Sequence, residues 1–570
     1  MNTRKVQLAL TVLGVATLAV TAAGTQAVPP SPPWFTWTTV VNNGDFMPTD
    51  LCVPTAPATP PCRTFNSYNQ PSINANQVVV IRARSRGGQG GQAVHGVYTR
   101  DMATTGPVVR ILDRSTQVPQ PNNLSSTFIE PPSFPRIDIG TDTVAARGNH
   151  QPVWRYFLDD DTETRAGTTG IYTNPFGDLI TGASKLGAVP DFSFFEVPEA
   201  PGTPFDVFPG AAAVTDGATI AFKGNYPVDG VGKTGVYYRD LENAPILSSA
   251  GNLEPAGGSN PIILIANSLD TFIPGTGTIF GSTAPPSAAN RQMVFAGFDN
   301  EDKPTLGGIY LAPLNGTTQP PLRTLVAIGG QVPGENSKAR FNRLGEGASF
   351  DGRFVAFWGA WGTEKKTLVL RCRTEGNQAL LAFCNKQHPN GFETTVPVNQ
   401  GIFVHDLRTK QTQVVAKTPT DYDDFVYWNF SGRTPGTGEG DDNGELARWR
   451  SASFVAVSGL VDRKLTDATF HAAFKARTGD VVSGAYTDPV DGIYLRKGSG
   501  KTPLLTLVET GMDGILLDPE AIDAFGVLPL PVTEMGLERD GFRGNSLVIN
   551  ASMGTEETGW AGIYLTEVPE

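Results

Sequence analysis

The chain has 570 residues, of which 64 are glycine and 45 proline while only 18% are charged, a composition that describes many short strands and tight turns and excludes a predominantly helical fold. A formal charge of −12 argues against nucleic acid or an anionic membrane surface as a partner. No segment after residue 27 approaches the ~20 apolar residues of a membrane span.

In chain order, residues 1–27 read as an export signal. Arg4 and Lys5 form its positive start, Leu8 to Ala22 its apolar stretch, and Thr25-Gln26-Ala27 a small-residue cleavage site. A Pro-rich segment, residues 28–34, follows, and 35–570 are expected to form one domain in a secreted or periplasmic protein. Phe35 to Asp45 has the pattern of one isolated strand.

A short phrase then returns seven times: Gly96-Val97-Tyr98, Gly170-Ile171-Tyr172, Gly235-Val236-Tyr237, Gly308-Ile309-Tyr310, Gly401-Ile402-Phe403, Gly492-Ile493-Tyr494 and Gly562-Ile563-Tyr564. The intervals are 74, 65, 73, 93, 91 and 70 residues, which marks a unit of several strands. An apolar strand precedes each phrase, as in Val78-Val79-Val80-Ile81, Thr219-Ile220-Ala221-Phe222 or Phe354-Val355-Ala356-Phe357. A shorter strand comes before that, through a polar turn such as Asn74-Ala75-Asn76, Asp351-Gly352 or Arg539-Asp540-Gly541. A fourth strand follows the phrase, for instance Pro245-Ile246-Leu247 in the third unit and Leu504 to Val508 in the sixth.

Four short antiparallel strands per unit make the blade of a β-propeller. The seventh unit ends soon after its phrase and lacks a fourth strand, which the isolated strand at Phe35 to Asp45 can supply. The expected fold is therefore all-β: a seven-bladed β-propeller of four-stranded antiparallel blades, the last closed by the N-terminal strand.

The long connections are those between the second and third strands and those between successive blades. In an antiparallel blade both classes emerge on one face. Long loops on a rigid scaffold are where binding residues usually sit. Trp154, Tyr156, Trp358, Trp361 and Trp428 are the aromatic candidates for stacking on a ligand there. Two acidic stretches, around Asp159 with Asp161 and Asp441 with Asp442, are candidates for calcium, although neither has the spacing of an EF-hand loop. The five histidines, His95, His150, His388, His405 and His471, are scattered over four units. In an exported protein the four cysteines read as two local disulfides, Cys52 with Cys62 and Cys372 with Cys384.

The motif Val-Ala-Phe-x-Gly, then Gly-Ile-Tyr, then an apolar strand ending in Val-Pro-Gly is most complete in Ile220-Ala221-Phe222-Lys223-Gly224 with Gly235-Val236-Tyr237, and in Gly308-Ile309-Tyr310 with Val332-Pro333-Gly334. It resembles exported bacterial tandem-repeat proteins with a Gly-Ile-Tyr signature, a propeller-like group. That resemblance implies architecture and supplies no catalytic residues. The expected function is non-catalytic binding or scaffolding of a protein, peptide or glycan through the loop-rich face, by a monomer with no cofactor. The alternative is an exported hydrolase or lyase with a site at the central channel mouth, assisted by calcium.

Overall fold

The computed structural model describes residues 35–48, 63–86, 93–242, 260–374, 378–434, 445–459, 469–498, 502–554 and 559–569. Seven antiparallel sheets form a seven-bladed β-propeller, and each blade reads first, second, third, fourth strand from the axis outward. Blade 3 shows the plan with least decoration: Ala213–Thr215, Thr219–Val228, Val231–Asp240 and Ile263–Asn267. Its fourth strand is thus Ile263–Asn267, and the expected Pro245 to Leu247 lies outside the described residues.

The repeated phrase makes the same joint in every blade. Its glycine, at the start of the third strand, faces a glycine or alanine on the second: Ala83 with Gly96, Gly148 with Gly170, Gly224 with Gly235, Gly297 with Gly308, Gly359 with Gly401, Ala476 with Gly492 and Ala551 with Gly562. This pair of small residues leaves a slot. In five blades a phenylalanine leading into the first strand meets the phrase's own aromatic ring edge-on there, as Phe128 meets Tyr172 with centroids 4.8 Å apart and Phe341 meets Phe403 at 5.0 Å. A Cβ on Gly297 would lie 2.7 Å from the Phe280 ring, so the slot exists only while that position carries no side chain.

The pairing of third with fourth strand skips one residue at the same place in every blade, directly after the middle residue of the phrase. Such bulges sharpen the local twist. The N-terminal strand, Trp37–Asn42, pairs with Trp560–Glu567 and carries the same skip, at Val40. It is the fourth strand of blade 7, and Val40 and Val41 are fully buried between blades 7 and 1.

Most first strands are broken in two, and their inner halves form a closed ring. Ser72–Ile73 packs against Arg136–Ile137, then Ala213–Thr215, Ser287–Ala289, Ser349–Phe350, Val455–Gly459 and Phe542–Arg543, which returns to Ser72–Ile73. Hydroxyls stitch neighbours together at this level: Ser72 Oγ donates to Pro135 O at 3.2 Å, Ser287 Oγ to Ala348 O at 2.7 Å, and Ser458 Oγ to Gly544 O at 2.9 Å.

The blade 5 connection from Trp358 to Gln400 is largely strand. Its second and third strands run on to Phe354–Leu370 and Phe392–Asp406, with a helix, Gln378–Gln387, at the end. A disulfide joins Cys372 to Cys384 there. Cys52 and Cys62 lie outside the described residues.

Candidate functional site

The propeller axis is closed by charge. Arg539-Asp540-Gly541 of blade 7, expected as the turn between first and second strands, instead lies in the break between the two halves of the first strand, Val532–Gly536 and Phe542–Arg543; the turn falls at Gly544-Asn545. Gly544, at φ +55°, supplies the backbone that the turn needs. This displacement puts Asp540 on the axis, where its carboxylate binds Arg136 of blade 2 and Arg543 of blade 7. Arg136 also donates to Pro286 O at 2.6 Å and Ser287 Oγ at 3.0 Å in blade 4, and Arg543 donates to Phe350 O in blade 5 at 3.4 Å. Burial would raise the Asp540 pKa, but Arg136 and Arg543 outweigh it and hold it at about 2. Arg539 crosses to Pro285 O at 3.1 Å, with Glu538 beside it at 2.9 Å. Four blades thus meet in one buried cluster of paired charge.

The loop-rich side is covered in part by a hairpin, Tyr427–Arg433 with Glu445–Ala452, inserted into the inner edge of blade 6. Tyr427 at its base is flanked by Lys475 Nζ, 4.3 Å from the ring centre, and the Arg477 guanidinium at 4.9 Å. Buried Asp424 anchors the chain just before it, accepting from Gln400 Nε2 at 2.8 Å and Val426 N at 2.9 Å and pairing with Lys366 at 3.3 Å. The hairpin reaches blade 4, where Arg448 pairs with Glu301 at 3.3 Å. Lys223 of blade 3 belongs to the same neighbourhood. Burial lowers its pKa, Glu346 and Glu301 pull it up, and Arg450 and Arg448 push it down.

A groove of about 550 Å³ lies on the same face, between the connection from blade 4 to blade 5 and the base of the extended blade 5 hairpin. Glu335, Lys338, Arg340, Asn342, Trp361 and Asn399 line it. Its walls are braced: Arg340 donates to Ser337 O at 2.8 Å, Asn342 to Gly362 O, and Glu335 is tied to Lys417 at 2.6 Å. The volume falls within the range of small-molecule sites, while the lining is mostly polar and charged.

Of the five aromatic candidates, Trp361 alone reaches this groove, with its ring edge against Phe403 at 6.0 Å. Trp358 is buried and donates to Gln400 Oε1 at 3.0 Å, and Trp428 borders the same apolar cluster. Trp154 packs edge-on against Phe192 at 4.8 Å, with Tyr156 against the same core. The five therefore do not share one surface. Asp159 and Asp161 are exposed in the turn of the small hairpin formed by Trp154–Phe157 and Glu163–Ala166, while Asp441 and Asp442 lie outside the described residues. Among the described residues no three His, Cys, Asp or Glu side chains are grouped as a metal would require.

His95, His150, His405 and His471 lie on strands of four different blades, and His388 follows the helix of the blade 5 extension. Burial lowers His95, His150 and His471 to about 4, and His150 Nε2 shares a hydrogen bond with the Tyr172 hydroxyl.

The geometry defines a plugged propeller with one elaborated face. No protein-family model matches the chain, and no curated protein matches it. Among solved structures, a polysaccharide lyase shows 10% identity and a TM-score of 0.27 over 53% of this chain, which spans only 56% of the lyase. An alpha-L-arabinofuranosidase from Podospora anserina in complex with cellotriose shows 8% identity and a TM-score of 0.23, covering 63% of this chain and 89% of that one. A fructan 1-exohydrolase from Cichorium intybus in complex with 1-kestose shows 9% identity and a TM-score of 0.23, covering 95% and 98%. Likenesses this distant carry no inference about activity.

Proposed function

We propose that this protein is an exported, non-catalytic binding propeller that takes a glycan or peptide on its loop-rich face. The observation that carries this reading is the braced groove over Trp361, where three amides, two cations and a carboxylate surround a largely buried indole. The Cys372–Cys384 disulfide supports an oxidising compartment. A hydrolase or lyase on the axis would need carboxylates free to exchange protons with substrate, and Asp540 and Glu538 are instead committed to arginines.

The test is a panel of oligosaccharides and short peptides titrated against the mature chain, read by tryptophan fluorescence and by heat of binding. A true ligand is bound by the parent at least tenfold more tightly than by Asn399→Ala or Lys338→Ala. Equal affinities in parent and variants would move the site elsewhere.

A further inference from the structure

The connection from blade 6 to blade 7 carries the most concentrated exposed apolar surface among the described residues. Ile515, Leu516, Ile522, Phe525, Val527 and Leu528 all face solvent, and Phe525 is 88% exposed. The tip is nevertheless ordered by its own hydrogen bonds. Asp523 N donates to Leu528 O at 2.8 Å, Gly526 N to Asp523 O at 2.9 Å, and Val527 N to the Asp523 carboxylate at 2.8 Å. Gly526, at φ +70°, makes that turn possible without strain. Below it Leu517 and Ala521 are buried in the blade 7 core. Asp518 locks the base, accepting from Asn42 Nδ2 at 2.9 Å and Trp560 Nε1 at 3.0 Å.

A preordered apolar knob loses little entropy on docking, and contiguous exposed apolar side chains mark an interaction site. Its electrostatics choose among occupants. Residues 509–538 contain no lysine, arginine or histidine, and the same connection carries exposed Asp513 and Glu520 and half-buried Asp523 as an acidic rim. An anionic membrane would repel that rim, and a two-fold contact between copies would set two acidic rims against each other. We infer that the knob docks a basic amphipathic segment of another protein, whose apolar residues cover Phe525, Val527 and Leu528 while its lysines or arginines meet the rim. The inference does not use the groove at Trp361, so either can fail without the other.

The mature chain is titrated with a labelled 14-residue peptide of leucine and lysine, with its serine–lysine counterpart of equal charge as reference. The expected result is at least tenfold tighter binding of the leucine–lysine peptide, a preference that falls below twofold in Phe525→Ser/Leu528→Ser and persists in Phe157→Ser. The double variant keeps every charge, and an unchanged melting temperature shows that it is folded. Three outcomes overturn the inference: a preference that survives the double variant, dimerisation of the parent that the double variant abolishes, or Phe525-dependent binding to phosphatidylglycerol or phosphatidylcholine vesicles with no peptide preference.

Discussion

Gly235 and Tyr237 compete for one volume, because the tyrosine hydroxyl folds back over the glycine Cα where a Cβ would stand. Gly235→Ala must therefore displace a buried ring or bend two paired strands, and over-packing of this kind costs about 1–3 kcal/mol. Gly277 has open space around it and serves as the control. Gly235→Ala is expected to lower the urea midpoint while Gly277→Ala leaves it nearly unchanged; matching midpoints would show that the ring is free to move. The buried histidines govern acid stability at the same scale. His150 and His471 titrate near 6.5 when unfolded and near 4 when folded, so between those values the unfolded chain holds more protons. The loss of stability begins near pH 6.5 and is complete below about 4, and it is on the order of 3 kcal/mol for each imidazole. His471→Phe, whose ring can still stack near Phe542, is expected to flatten the dependence of melting temperature on pH across that window.

At the level of elements, the strands that obey the phrase were legible and those that outgrow it were not. Phe35 to Asp45 could be matched to blade 7 because its pattern lacked partners in sequence, and the shared skip at Val40 shows the match to be structural. The blade 5 extension was hidden because Gly362, Thr363 and Glu364 interrupt its apolar alternation before Leu368 and Val396 resume it. Trp361 could be chosen as a long-loop aromatic, although it proves to be buried on a strand, but Lys338, Arg340 and Asn342 come from the segment that enters blade 5, and only the ring geometry sets them beside it. The helix Gln378–Gln387 sits outside the propeller ring and touches the blade 6 hairpin through Phe383 and Phe430, with centroids 6.3 Å apart. Its disulfide closes a loop of 12 residues, a constraint of about 3 kcal/mol on the chain-entropy account. Reduction is therefore expected to raise hydrogen exchange in residues 378–387 by more than tenfold while the strands of blades 1 to 4 stay protected. Uniformly faster exchange would mean that this extension helps to hold the ring.

For the whole molecule, the decisive contacts are those that cross the axis, because each blade could otherwise slide on its neighbour. The hydrophobic clusters run mostly between neighbouring blades, whereas Asp540 connects blades 2 and 7 through Arg136 and Arg543, and those arginines reach blades 4 and 5. Nothing in the local pattern announced this, since Arg539-Asp540-Gly541 has the composition of a hairpin turn; the second turn signal at Gly544-Asn545 takes that role and leaves the aspartate in the break between the two halves of the first strand. Breaking a buried ion pair from one side typically costs 3–5 kcal/mol, because the remaining charge keeps its burial and loses its partner. Asp540→Asn preserves shape and strands two guanidinium groups, so it should fall at the upper end of that range in urea unfolding. Asp540→Leu/Arg136→Met removes charge from both sides and should be less destabilised than Asp540→Asn, although it has lost more hydrogen bonds. The pH dependence follows from the same pair: with a folded pKa of about 2 against an ordinary 3.8, Asp540 stabilises the fold fully above pH 3.8 and loses that contribution as pH falls through 2. If Asp540→Asn unfolds at the parent's urea concentration, the axis is wet and its charges are screened, and ring closure rests on the N-terminal strand and the hydroxyl stitches alone.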